Sequence, residues 1–66
     1  MLTAIVYTLH IGIDRMVKIE REGKAFNSER EISQYCDKMS RKYKRAAGVL
    51  IEVHDDQDQI IAQHIV

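Results

Sequence analysis

The sequence contains no proline and no tryptophan, and it has only one cysteine, one phenylalanine and three glycines. A single cysteine excludes an intrachain disulfide and is typical of a protein in a reducing compartment, so we expect a cytoplasmic location. Three scattered glycines exclude a glycine-rich phosphate loop. No apolar run reaches the ~20 residues that a membrane-spanning helix needs. We therefore expect no membrane partner.

The composition is otherwise that of a folded domain. Of 66 residues, 45% are apolar and 30% are charged, and ten basic residues balance ten acidic ones. We expect one domain over residues 1–66, which is neither a polycation nor a polyanion. A chain of this size buries only about 60% of its unfolded surface and is marginally stable alone. Since a disulfide is excluded, a metal or a second subunit is the expected source of additional stability.

The N-terminal third has the period-two pattern of strands. Residues 2–13 are predicted to form the first strand, in which apolar side chains at odd positions share one face. These are Ile5, Tyr7, Leu9, Ile11 and Ile13. A second strand is predicted over residues 16–21, with Val17 and Ile19 inward, and residues 22–24 are predicted to interrupt it.

The middle of the chain predicts a helix over about residues 28–46. Ser28 and Glu31 have the spacing of a capping box, in which each side chain bonds a free N–H of the first turn. Apolar residues then recur every three or four positions, which places one apolar stripe on the helix. Gly48 has the position of a glycine that ends a helix in the left-handed conformation.

Two further strands are predicted after the helix, over residues 49–54 and 60–66. The fold class is thus α+β with the order β-β-α-β-β, a mostly antiparallel four-stranded sheet with the helix packed on one face. A turn of two or four residues within 55–58 places Val49, Ile51 and Val53 on the same face as His64, and His54 on the other face.

A basic run in the second half of the helix is a candidate nucleic-acid contact. It consists of Lys38, Arg41, Lys42, Lys44 and Arg45. Cations near a helix C-terminus also complement the helix dipole, and this solvated arrangement is the more common one. No aromatic-rich strand motif or helix-turn-helix spacing accompanies the run.

The remaining chemistry-bearing residues favour structural roles. His10, His54 and His64 lack the spacing of zinc motifs, so we expect no metal or other cofactor. Cys36 lies on the apolar stripe in mid-helix, where a buried small hydrophobe is expected. The Asp55-Asp56-Gln57-Asp58 segment lacks the glycine and glutamate of a calcium loop and predicts a polar turn.

One helix covers only one face of a four-stranded sheet, and the other face is open to solvent or to a partner. Apolar residues on that open face and at the C-terminal strand are the expected interface. These residues are Val6, Leu50, Ile61, Ile65 and Val66. Ala4 is expected on the same open face as Val6. The pattern favours a homodimer.

No nucleophile, base and orienting group form a set, and the chain is small for a water-excluding pocket, so we expect no enzyme and no small-molecule substrate. Two function classes remain. The first is a small dimeric adaptor or inhibitor that acts through protein–protein contacts, as bacterial and phage accessory proteins do. The alternative is a nucleic-acid-associated regulator that uses the basic half of the helix.

Overall fold

The computed structural model describes residues 1–66, and its elements follow the order β-β-α-β-β. The strands are β1 (Leu2–Ile11), β2 (Met16–Phe26), β3 (Gly48–His54) and β4 (Ile60–Ile65), and the one helix is α1 (Glu29–Lys42). The predicted α+β class and element order are confirmed. No helix combines the length and the apolar character needed to cross a membrane.

The four strands form one antiparallel sheet with the order β2-β1-β3-β4. The two longest strands, β1 and β2, form a hairpin whose tip extends beyond the helix, and the molecule measures 38 × 24 × 15 Å. A bulge opposite Val6 and Tyr7 leaves one residue of β2 unpaired and bends that strand. A second irregularity lies between Val53 and His54, where β4 begins.

The core lies between α1 and one face of the sheet. Ile32, Tyr35, Cys36 and Met39 are the buried residues of α1, as the predicted apolar stripe requires. The sheet contributes Ala4, Val6, Phe26, Val49, Ile51 and Val53. The ring centroids of Phe26 and Tyr35 lie 5.1 Å apart at an interplanar angle of 60°, a tilted arrangement that aromatic pairs favour.

The main correction to the sequence prediction concerns which side chains of β1 lie on the helix-covered face of the sheet. Val6 and Ala4, expected on the open face, are fully buried against the helix. Val6 pairs with Ile51 and Ala4 with Val53, so these side chains share the helix-covered face. Both parities of this strand are apolar, and the small even-numbered residues let the helix approach the sheet closely. The larger Tyr7 and its odd-numbered neighbours therefore line the open face.

The helix begins as predicted but ends early. Ser28 is the N-cap residue, although its side chain makes no capping hydrogen bond. After Lys42 the backbone leaves the helix, and the Ala47 N–H donates to the Leu9 carbonyl at 3.0 Å, which ties the turn to the sheet. Gly48 does not end the helix: no glycine has a positive φ, and Gly48 is the first residue of β3.

Strand β2 is longer than predicted because it continues through Gly23 to Phe26 instead of ending at residue 21. Val17 and Ile19 lie on the helix side, paired with His10 and Thr8, as predicted. They are nevertheless 42% and 40% exposed, since the helix does not extend over this end of the hairpin.

Candidate functional site

The outer edge of β4 is the least protected part of the sheet. β4 has β3 as its only neighbour, so its outer backbone N–H and C=O groups have no strand partner. The strand contains no proline, lysine or other formally charged residue. Ile60, Ile61 and Ile65 are 49%, 47% and 75% exposed. The outer edge of β4 is therefore unpaired, uncharged and apolar, and it is the first candidate for an interaction site.

The opposite edge of the sheet, formed by β2, is protected. Lys18, Glu20, Arg21, Glu22 and Lys24 lie along it, and the bulge bends it. Charged side chains and bulges are the devices that prevent edge-to-edge association. The register shift between Val53 and His54 also leaves Ile61 of β4 unpaired, so the two edges differ in their charged side chains and not in bulging.

The residues predicted as an interface lie in four places. Ile61 and Ile65 lie on β4, and Leu50 lies on the open face, half-buried between Tyr7 and Ile65. Val66 follows β4, and its N–H and carbonyl bond to the backbone of Val49 at 2.9 and 3.1 Å. Val6, as described above, is in the core. The structure thus groups Leu50, Ile61 and Ile65 near the β4 edge and separates Val6 from them.

A shallow groove runs between β4 and α1 on the covered side. Its volume is about 340 Å³, and its apolar lining includes Ile32, Cys36, Val53, Ala62 and Val66. The groove lies beside the main contacts of α1, which are with β1, β2 and β3. Burial raises the pKa of the Cys36 thiol, as does the nearby Asp37 charge. Cys36 is 5% exposed, as expected for a packed apolar residue.

A buried carboxylate lies at the centre of the open face. Glu52 is 5% exposed. It accepts hydrogen bonds from His54 Nε2 at 3.3 Å and Lys18 Nζ at 3.4 Å. The Lys18 ammonium also lies 4.5 Å from the centroid of the Tyr7 ring. Burial by itself raises the pKa of Glu52, but these hydrogen bonds and the Lys18 charge outweigh it and the pKa is lowered. The open face is therefore apolar around a charged centre.

The structure divides the predicted basic run. Lys42 Nζ lies 2.7 Å from a Glu22 oxygen and is used in that ion pair. Lys38 lines a different cavity, beside Phe26 and Tyr35 on the far side of the helix. Arg41 is exposed on α1 and makes no ion pair. The run is thus not one surface, and only part of it meets other basic residues.

Lys44 and Arg45 face a second set of polar residues that the sequence prediction did not include. Thr8, His10 and Arg21 lie with them around a shallow cavity of about 380 Å³. Thr8 is 2% exposed and is one of only two buried polar or charged residues of the sheet, with Glu52. The signal for this site in the sequence was Thr8, a polar residue that lies at an even position of the first strand, as Ala4 and Val6 do.

Glu22 connects the hairpin to the C-terminal end of α1. It accepts hydrogen bonds from Lys42, from the Tyr43 hydroxyl and, at 3.4 Å, from the Tyr35 hydroxyl. The bonds from Lys42 and Tyr43 are the main reason that the pKa of Glu22 is lowered. The same contacts raise the pKa of Tyr43, whereas that of Tyr35 is raised first by burial.

The three histidines lie on different parts of the sheet. His64 pairs with Ile51 on the covered face and His54 lies on the open face, so their predicted separation is confirmed. His10 is on β1 beside Thr8. No group of three or more histidine, cysteine, aspartate or glutamate side chains is arranged to hold a metal ion.

The acidic segment forms the turn between β3 and β4. Asp55 Oδ1 accepts hydrogen bonds from the backbone N–H groups of Gln57 and Gln59, both at 2.9 Å. Asp58 has a φ of 62°, a left-handed conformation that aspartate adopts more readily than most residues. The predicted polar turn is confirmed: Asp55 bonds within the turn, Asp56 pairs with the N-terminal ammonium at 3.1 Å, and Asp58 Oδ1 lies 3.3 Å from His54 Nδ1.

No protein-family model matches this chain, and no curated protein or solved structure shows significant similarity to it.

Proposed function

We propose that this protein is a small non-enzymatic binding protein that acts as a homodimer, with the second copy paired along β4. The observation that carries the proposal is the contrast between the two sheet edges: β2 is lined with charged side chains, whereas β4 exposes Ile60, Ile61 and Ile65 and has no formally charged residue. Proteins normally protect such an edge or pair it.

Antiparallel pairing of two β4 strands about a twofold axis would give a continuous eight-stranded sheet with both helices on one side. Such an interface is isologous, because each strand presents the same edge to its copy. The helices would flank the paired strands, so the apolar grooves lined by Ile32, Cys36 and Ala62 would lie next to the interface. Burial there supplements a core of only ten residues.

The open face of this extended sheet is the surface proposed for a protein partner. Ile5, Tyr7, Leu9 and Leu50 are half-buried there around Glu52 and its partners. A mixed apolar surface with a fixed charged centre suits protein recognition, since the apolar rim supplies contact area and the charge supplies specificity. The proposed function is accordingly that of an adaptor or inhibitor.

The experiment is a mass measurement in solution with matched edge variants. Light scattering after size exclusion is expected to give twice the 7.7 kDa chain mass. Ile61→Lys on β4 is expected to give monomers. Ile19→Lys, which makes the same change at a similarly exposed position on β2, is expected to leave the dimer intact. Ile65→Lys provides a second β4 variant should Ile61→Lys fail to fold.

Two results would contradict this assignment. A strict monomer at high micromolar concentration would exclude the homodimer. A dimer that dissociates with Ile19→Lys but persists with both β4 variants would move the interface to the other edge.

A further inference from the structure

The cavity at the C-terminal end of α1 brings together basic residues from distant parts of the sequence. β1 contributes Thr8 and His10, β2 contributes Arg21, and the turn after the helix contributes Lys44 and Arg45. The bulge in β2 places Arg21 on this side of the hairpin, directly before Glu22. No acidic side chain lines the cavity.

The Arg21 side chain is held in place by contacts with Thr8 and His10 of β1. Its Nε donates to Thr8 Oγ1 at 2.9 Å, and His10 Nε2 lies 2.8 Å from the same oxygen. An Arg21 terminal nitrogen lies 3.5 Å from His10 Nε2. With Nε2 unprotonated, its one lone pair accepts from the Thr8 hydroxyl at 2.8 Å, and the Arg21 contact at 3.5 Å is secondary. The buried threonine thus orients the guanidinium, while most of its terminal N–H groups remain free.

Four basic residues line this cavity, Arg21, Lys42, Lys44 and Arg45, and no carboxylate compensates the charge of three of them. Arg21, Lys44 and Arg45 make no ion pair with any carboxylate, in contrast to Lys42, which pairs with Glu22. Both sequence neighbours of Arg21 are glutamates, but Glu20 pairs with Tyr7 on the open face, and the Glu22 oxygens already accept from Lys42, Tyr35 and Tyr43. Three free cations around one concave surface, with an oriented guanidinium among them, are suited to an anion with several oxygen acceptors.

We propose that this cavity binds a phosphate group, carried either by a nucleotide or by a nucleic-acid backbone, with Arg21 as the oriented ligand and Lys44 and Arg45 as flanking cations. A guanidinium fork bonds two phosphate oxygens at once, and lysine adds a mobile point charge. Three residues of the basic run predicted from the sequence line the cavity, but one of them, Lys42, is already paired with Glu22. The cavity lies away from β4, so its test is independent of the homodimer.

The experiment is a titration of the isotope-labelled full chain at constant ionic strength, followed by NMR. Inorganic phosphate, a mononucleotide, and a 12-nucleotide DNA as single strand and duplex are the probes. The backbone amides of Thr8, His10, Arg21, Lys44 and Arg45 are expected to shift. Tighter binding of an oligonucleotide than of the mononucleotide assigns the phosphate to a nucleic acid, and equal binding assigns it to a small phosphate compound.

Arg21→Gln is the test variant, and Arg30→Gln at the other end of α1 is its control. Loss of Arg21 is expected to weaken binding about tenfold, whereas Arg30→Gln leaves it unchanged. If duplex binds, three phosphate contacts predict a roughly 40-fold loss of affinity between 50 and 200 mM salt, and Arg21→Gln reduces this to roughly 12-fold.

The proposal is overturned if none of the probes shifts these five amides. It is equally overturned if Arg30→Gln weakens binding as much as Arg21→Gln, because binding would then depend on overall charge and not on the cavity. The amide spectra of both variants report directly whether each is folded.

Discussion

Replacing Glu52 by alanine is expected to destabilise the protein more than any other single carboxylate change on the open face. The side chain of Glu52 is 7% exposed and bonds His54 and Lys18. A hydrogen bond to a charged group contributes about 1.5–3 kcal/mol, although both bonds here are long. Half-exposed Lys18 regains water when its partner is lost, whereas His54, 12% exposed, keeps an unpartnered Nε2. Removing a buried charge offsets part of the loss.

The net cost of Glu52→Ala is therefore about 2 kcal/mol. For a domain of this size, 1 kcal/mol changes Tm by about 4–8 °C, so the expected decrease is about 8–16 °C. Circular dichroism at 222 nm during heating measures it, at one protein concentration because a dimer's Tm depends on concentration. Glu20→Ala is the matched control, since Glu20 is an exposed carboxylate on the same face. It is expected to cost less than about 0.5 kcal/mol.

The pH dependence provides the second part of this test. Because the folded-state pKa of Glu52 is lowered, its stabilising contribution is present above its unfolded pKa and is lost as pH falls through the folded pKa. Wild-type protein should therefore lose more stability on acidification from pH 6 to pH 3 than Glu52→Gln. Equal Tm changes for Glu52→Ala and Glu20→Ala, or a gap between wild type and Glu52→Gln that does not narrow in acid, would refute the reasoning.

Two further predictions concern the covered side of the sheet. Val6→Ala removes two fully buried methyl groups and is expected to cost about 2 kcal/mol or more by urea unfolding, whereas Val17→Ala, at a position 42% exposed, is expected to cost less than about 1 kcal/mol. Equal costs would place Val6 outside the core. Glu22→Gln is expected to flatten the pH dependence of Tm below about pH 4.5, since the lowered pKa of Glu22 makes its contribution disappear as the carboxylate is protonated. A Tm profile identical to that of wild type would show that the Lys42 contact does not stabilise the fold.

Element types and their order could be predicted because they depend on the spacing of apolar side chains within short segments of the chain. The three- and four-residue spacing of Ile32, Cys36 and Met39 requires a helix face, and the alternation of Val49, Ile51 and Val53 requires a half-buried strand. The separation of His54 from His64 also followed, because the polar turn between them limited the pairing to few registers.

The facing of β1 could not be predicted in this way. Ile5 and Tyr7 on one parity and Ala4 and Val6 on the other are all apolar, so periodicity does not select a side. The helix makes the selection, because small side chains allow it to approach the sheet. Choosing the larger residues as the core therefore placed Val6 in the expected interface.

The β4 edge and the basic cavity also combine features that are visible in the sequence with features that depend on the fold. Composition within single segments is enough to show that the last strand is apolar and uncharged and that the second half of the helix is basic. That β4 is a sheet edge, that Glu22 neutralises Lys42, and that Arg21 joins Lys44 and Arg45 depends on contacts between distant segments. Strand order and the β2 bulge are set by packing between residues far apart in the chain, and no local pattern encodes them.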